Sequence, residues 1–207
     1  MTIIRATAFL LAFLFVAIGR GPAAAAEDYS GDDAGYLIYS AGSIAMPLAF
    51  QFPYKRVAGP SGEPASDWSG QIESRTGGFS RLRVSNAEYS GRETGRVFVR
   101  RLPPGEYEID DFRFAGTRRF SSRRPFSIRF TIRPGQATYI GNFARAPSLG
   151  TPLQRTLGAV GFFVISDKSE RDIALARARI PDLPPVTISV TDVSALGHSM
   201  LLTSEPQ

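Results

Sequence analysis

Between Pro125 and Arg133 apolar and polar positions alternate without a break. Phe126, Ile128, Phe130 and Ile132 fall on one side, and Ser127, Arg129, Thr131 and Arg133 on the other. A period of two is the signature of a strand with one buried face, and a register slip of one residue would turn all four large apolar groups to solvent. The same period is present from Glu106, where Tyr107 and Ile109 oppose Glu106, Glu108 and Asp110, in a strand predicted to run to Phe114. Further short strands are predicted at Tyr36 to Ala41, Leu48 to Phe52, Phe79 to Val84, Arg96 to Arg100, Ala137 to Phe143 and Val186 to Val190. Val160 to Ile165 (VGFFVI) is apolar on both faces and is expected to lie centrally in a sheet.

Turn residues punctuate these runs. Leu102-Pro103-Pro104-Gly105 fixes two φ angles and then permits a positive one, and Pro134-Gly135 does the same after the strongest strand. Ala58 to Gly70, ending beside the single tryptophan, Trp68, is loop by composition. One helix is predicted at Glu170 to Arg179, capped by Ser169 with Asp172 three residues on, with Ile173, Ala176 and Ile180 on one face and Pro181 as its stop. Short strands at regular spacing with one helix define an all-β (mainly β) fold, an antiparallel β-sandwich of the immunoglobulin or transthyretin-like kind with one short C-terminal helix.

The first 26 residues carry a different pattern. Arg5 precedes an apolar run from Ala6 to Ile18, and Gly19 to Pro22 then lead into Ala24-Ala25-Ala26, the small side chains a signal peptidase accepts. The run is shorter than the roughly 20 residues that span a bilayer. A cleavable signal peptide, cut after Ala26, is therefore expected, giving a periplasmic or secreted product with no stable membrane insertion. The chain has no cysteine, which excludes a lipoprotein anchor, disulfides, thiol nucleophiles and Cys-ligated zinc. Removing residues 1–26 leaves 181 residues, enough to bury a core without covalent staples. The expected organisation is signal peptide 1–26, acidic lead-in 27–34, a single β-sandwich domain 35–191 and a poorly ordered C-terminal tail 192–207.

The segment Gly95 to Ile109 (GRVFVRRLPPGEYEI) resembles the carboxypeptidase-regulatory-like, transthyretin-like β-sandwich modules, in which a strand leads into a Leu-Pro-Pro-Gly-x-Tyr turn and the next strand. Ile132 to Phe143 (IRPGQATYIGNF) and Ile165 to Pro184 (ISDKSERDIALARARIPDLP) are similar to segments of exported bacterial proteins of this type. The resemblance implies a sandwich without its own catalytic machinery and maps no active-site residue. The chain departs from the pattern in lacking a Gly-x-Val opening strand within 36–52 and in adding the helix.

Candidate chemistry is sparse. His198 is the only histidine, lies in the expected tail as a solvent-exposed bystander, and has no G-x-S-x-G serine to accompany it. Asp28, Asp32 and Asp33 lack calcium-loop spacing. Glu106, Glu108, Asp110 and Asp111 read as a solvated strand face paired across the sheet with arginines such as Arg96 and Arg100, rather than as a glycosidase pair. No cofactor is expected. Net charge falls from +5 to +3 on maturation, because Arg5 and Arg20 leave and no acid does, too small a bias to imply nucleic acid.

The feature above background is Arg118-Arg119-Phe120-Ser121-Ser122-Arg123-Arg124, four arginines around an aromatic. Guanidinium groups grip phosphates and carboxylates bidentately, so Arg118, Arg119, Phe120, Arg123 and Arg124 form the candidate anion- or partner-binding set, extended by Arg113, Arg129 and Arg133 if these share its face. The expected partner is an envelope protein or an anionic glycan or lipid headgroup. Two alternatives stand beside this non-catalytic binding protein: a periplasmic hydrolase with a carboxylate pair, and a small outer-membrane β-barrel.

Overall fold

Twelve strands, one α-helix and one 3-10 turn make up the described part of the computed structural model, which covers residues 28–44, 49–64, 67–74, 87–114, 120–122, 124–147 and 161–203. The expected signal peptide and the strand at 79–84 lie outside the described residues. In chain order the strands are β1 (Gly35–Ile44), β2 (Phe50–Ala58), β3 (Ser69–Ser74), β4 (Glu93–Leu102), β5 (Gly105–Ile109), β6 (Arg113–Phe114), β7 (Phe120–Ser121), β8 (Ile128–Ile132), β9 (Ala137–Pro147) and β10 (Gly161–Ser166). Helix α1 (Ser169–Arg179), β11 (Val186–Ile188), the 3-10 turn Val193–Leu196 and β12 (Leu201–Leu202) complete the chain.

The strands form two open sheets packed face to face, an all-β sandwich with one short helix. The first sheet runs β12-β10-β9-β1-β4, and β11 pairs with the start of β9. The second runs β8-β5-β2-β6-β7, with β3 on the other side of β2. The second is wholly antiparallel, as expected of such a sandwich. The first is mixed, because β9 returns from the opposite sheet in the direction of β1 and pairs with it in parallel, as β11 does with β9 and β12 with β10.

The core follows from the alternation. Phe126, Ile128, Phe130 and Ile132 are buried while Arg129, Thr131 and Arg133 are exposed. Between the sheets Phe163 of β10 is ringed by Phe52, Phe114, Phe112 and Phe50, with centroids 4.5, 4.8, 5.1 and 5.2 Å away, in the tilted and offset contacts aromatic quadrupoles favour. Arg145 of β9 is also fully buried. Its guanidinium lies 4.5 Å over the Phe114 ring and donates to the Ala49 carbonyl at 3.1 Å, and desolvation pulls its pKa down to about 10.

The Pro-Pro-Gly turn carries the chain from β4 in the first sheet to β5 in the second, and the Tyr107 hydroxyl donates back to the Pro103 carbonyl at 2.7 Å. Gly105 has φ 149°, and a Cβ there would stand 2.4 Å from the Ala58 carbonyl oxygen. The strand expected from Glu106 to Phe114 is broken between β5 and β6, so that both pair with β2 in succession. Pro53 sits within β2 at that handover, where the ladder on this side is interrupted.

Strand β4 ends the first sheet, and its outer edge is capped at Gly95, Val97 and Arg101. Gly95 exchanges backbone bonds with the segment at Glu88 and Tyr89. Beside it the Glu88 carboxylate accepts from Val97 N–H at 2.9 Å, while Arg179 of α1 donates to the Val97 carbonyl and to Glu88, both at 2.9 Å. This ion pair thus supplies the donor and acceptor that a neighbouring strand would have offered. Farther along, Tyr29 N–H donates to the Arg101 carbonyl, and Asp28 accepts from Arg101 N–H. Residues of the acidic lead-in are therefore docked on the sheet edge rather than extended away from it. Edge strands left bare invite pairing with another chain.

Two further expectations need correction. The tail beyond Asp192 is described as far as Thr203 and is built into the fold: Val193 and Leu201 are buried, and β12 extends the first sheet. Helix α1 has Lys168 rather than Ser169 at its N-cap position, without a side-chain cap, and its buried residues are Asp172 and Ala176 rather than an Ile173 stripe.

Candidate functional site

Of the arginine-rich set, Arg118, Arg119 and Arg123 lie outside the described residues. Phe120 enters through its backbone, paired with Phe114 in β7 and β6. Arg124 is exposed and anchored, donating from Nη1 to the Gly197 carbonyl at 2.9 Å. Among the extensions, Arg113 bonds Asp111 at 3.3 Å in β6, which pairs with β2 on the same side as β5. The pairing of Arg113 with Gln51, and of Arg129 with Glu108 opposite Lys55, puts Arg113 and Arg129 on the same outer face of the second sheet.

The C-terminal turn beside Arg124 holds His198, which is buried rather than a bystander, its ring edge-on to Phe112 and Phe126 at 5.6 and 5.5 Å. Its Nε2 lies 3.0 Å from the Ser122 hydroxyl, an arrangement that at first sight is a nucleophile and base. The hydrogens run the other way. His198 Nδ1 accepts from Met200 N–H, so the ring proton sits on Nε2 and is donated to Ser122, whose own hydrogen goes to the Arg124 carbonyl at 2.6 Å. Ser122 keeps its proton, and among the described residues no acid bonds His198. Burial, and secondarily the Arg124 charge, lower the histidine pKa. The pair locks the C-terminal turn to the loop before β8.

The acids of β5 and the following residues lie on the outer face of the second sheet. They meet Lys55 and Arg129 rather than Arg96 and Arg100, which belong to the other sheet. Lys55 contacts both Asp110 and Glu108, and Arg129 lies 3.9 Å from Glu108. A strand face of alternating charge is the arrangement present.

At the opposite margin of that sheet the sandwich splays open. Thr138, Thr187 and Ser189 place hydroxyls where the first sheet would otherwise present apolar side chains, and the facing edge is β8. The groove between them has a volume of about 340 Å³ and is also lined by Arg129, Arg133, Gln136 and Glu106. Thr138 stitches the floor by donating to the Thr131 carbonyl at 2.8 Å. The Arg129 side chain remains 67% exposed despite its loose pairing with Glu108, leaving most of its guanidinium for a ligand.

A second polar cluster escaped the sequence. Under α1, on the outer face of the first sheet, the fully buried Asp172 accepts from Tyr139 at 2.7 Å, from Arg171 Nε at 2.7 Å, and lies 2.5 Å from the Ser40 hydroxyl. Ser40 also lies 2.6 Å from Asn142 Oδ1, and Asn142 Nδ2 donates to Glu93 at 3.1 Å. Burial, then the Asp172 charge, raise the Tyr139 pKa. Strict alternation would put Tyr139 and Asn142 on opposite faces. They share one because β9 carries an extra residue between its pairings with Ile38 and Ser40, where Gly141 adopts φ 121°. The signal available in sequence was Gly141 inside a strand pattern.

Among the described residues no helix is long and apolar enough to cross a membrane, and the two sheets do not close into a barrel. No family model matches the chain, and no curated protein or solved structure gives a significant match to it.

Proposed function

We propose that the chain is an exported, non-catalytic β-sandwich of the cell envelope that binds an anionic glycan along the groove between β8 and β11. The observation carrying this reading is the pairing of two exposed guanidiniums with a wall of hydroxyls. Arg129 and Arg133 stand four residues apart on one strand face, about 13 Å along a strand, a spacing suited to an extended ligand with repeated acids rather than to a single ion. Thr138, Thr187, Ser189 and Gln136 supply donors and acceptors for a hydroxyl-rich chain. Glu106, on the same wall, excludes a ligand of uniform negative charge and favours one whose acids alternate with neutral groups.

The test is binding of the mature protein to immobilised acidic and neutral envelope polysaccharides over a salt gradient. Wild type should retain the acidic polymer in a salt-sensitive way, and the double variant Arg129→Gln/Arg133→Gln should lose about tenfold or more of that affinity. A second variant with Arg118, Arg119, Arg123 and Arg124 changed to Ser separates the loop from the groove. If only the loop variant weakens binding, or if a protein partner alone is captured, the groove assignment is wrong.

A further inference from the structure

Tyr89 lies flat against the first sheet because Gly42 and Gly95 face each other across β1 and β4. A Cβ on either would stand 2.9 or 2.3 Å from the Tyr89 hydroxyl oxygen. Over this ring stacks the guanidinium of Arg171, 3.6 Å from the ring centroid. Arg171 is then fixed on two more sides: Nε bonds the buried Asp172 at 2.7 Å, and Nη2 reaches Ser40 and Asn142, each at 3.3 Å. Among the described residues its Nη1 has no protein acceptor. An arginine held by a buried carboxylate, an aromatic plane and two polar side chains is pre-organised before any ligand arrives.

Beside it opens a cavity of about 390 Å³ at the start of α1, lined by Arg171, Lys168, Arg92, Tyr89 and Glu93. Lys168 is exposed and supplies a second ammonium-type donor. Glu93 stands among these cations, its side chain half-buried on the cavity wall and its Oε2 bound by Asn142. A ligand that satisfies this wall must present an oxyanion to the cations and a donor towards Glu93, since a bare anion would meet the acid unfavourably.

We propose that this cavity is a binding site for a small carboxylate that also carries a hydrogen-bond donor, either a hydroxyl or an ammonium group, with Arg171 and Lys168 holding the carboxylate and Glu93 meeting the donor. The site is independent of the β8 groove, shares no residue with it, and lies on the outer face of the other sheet.

Isothermal titration of the mature protein with glucuronate, glutamate, acetate and inorganic phosphate tests it. Saturable binding is expected for glucuronate or glutamate, whichever donor the site prefers, and weaker binding for acetate and phosphate, which offer the anion without the neighbouring donor. Lys168→Ala, at an exposed position that leaves folding intact, should weaken the preferred ligand about tenfold, as loss of one charge-assisted hydrogen bond does. Glu93→Gln should reduce the preference over acetate, and Arg129→Gln/Arg133→Gln should leave the titration unchanged. Absence of saturable binding by both donor-bearing acids, or equal affinity in wild type and Lys168→Ala, would overturn the assignment, as would a titration abolished by the groove variant.

Discussion

Replacing Glu88 with Ala removes the acceptor that closes the β4 edge, and its effect can be worked from the contacts it makes. Val97 is fully buried, so its N–H, now bonded to the Glu88 carboxylate at 2.9 Å, would have little water to turn to. Loss of a hydrogen bond to a charged group in such a place costs about 1.5–3 kcal/mol. The ion pairs of Glu88 with Arg179 and Arg96, at 2.9 and 3.7 Å, involve partly exposed side chains and add about 0.2–1 kcal/mol together. A total of roughly 2–4 kcal/mol corresponds, for a domain of this size, to a fall in Tm of about 4–16 °C. The uncovered backbone should also pair between molecules. Differential scanning calorimetry measures the first effect and sedimentation velocity the second. Arg179→Ala should behave alike, with a non-additive double mutant because the two side chains act as one plug. Unchanged Tm and a monomer at every concentration for Glu88→Ala would refute the reasoning.

Other expectations follow from single contacts. Phe163→Ala, at the centre of four phenylalanine rings, should lower stability by about 3–5 kcal/mol in urea unfolding; a loss under about 1 kcal/mol would place the core elsewhere. Gly105→Ala forces a β-carbon into a φ of 149° and against the Ala58 carbonyl, and should cost about 1–3 kcal/mol by the same assay. His198 is held neutral with its pKa below the ordinary 6.5. Its contribution is therefore fully present above that value and is lost as pH falls through the lower folded-state pKa, because the unfolded chain binds the proton first. Unfolding measured from pH 8 to 5 should show wild type losing stability on acidification more steeply than His198→Gln; parallel curves would contradict the buried, Nε2-protonated ring.

Features set by local pattern were legible in the sequence, and those set by long-range partners were not. The strands around Phe130, Tyr107 and Val97 and the Pro-Pro-Gly turn follow from alternation and backbone restriction, which neighbouring residues alone determine. Pro53 within β2 was not foreseen, because its tolerance depends on the handover from β5 to β6 on the neighbouring side. Asp172 reads as the capping partner of Ser169 until Ser40, Tyr139 and Arg171 are seen to surround it, and Ser40 lies 132 residues away in sequence. His198 belongs to a segment whose composition predicts disorder, yet two phenylalanines and Ser122 hold it in place. As for the groove, Arg129 and Arg133 were visible as a polar row on β8, but the hydroxyl wall opposite them comes from β9 and the β11 region, whose approach to β8 no local signal encodes.

Arg129 and Arg133, facing those hydroxyls, are the proposed binding surface. Its most direct measurement is NMR titration of arginine-labelled mature protein with a soluble acidic envelope oligosaccharide, following the side-chain Nε resonances. Saturable shifts at Arg129 and Arg133, abolished by raising the salt, are the predicted result; shifts confined to Arg118, Arg119, Arg123 and Arg124, or none at saturating ligand, would contradict it.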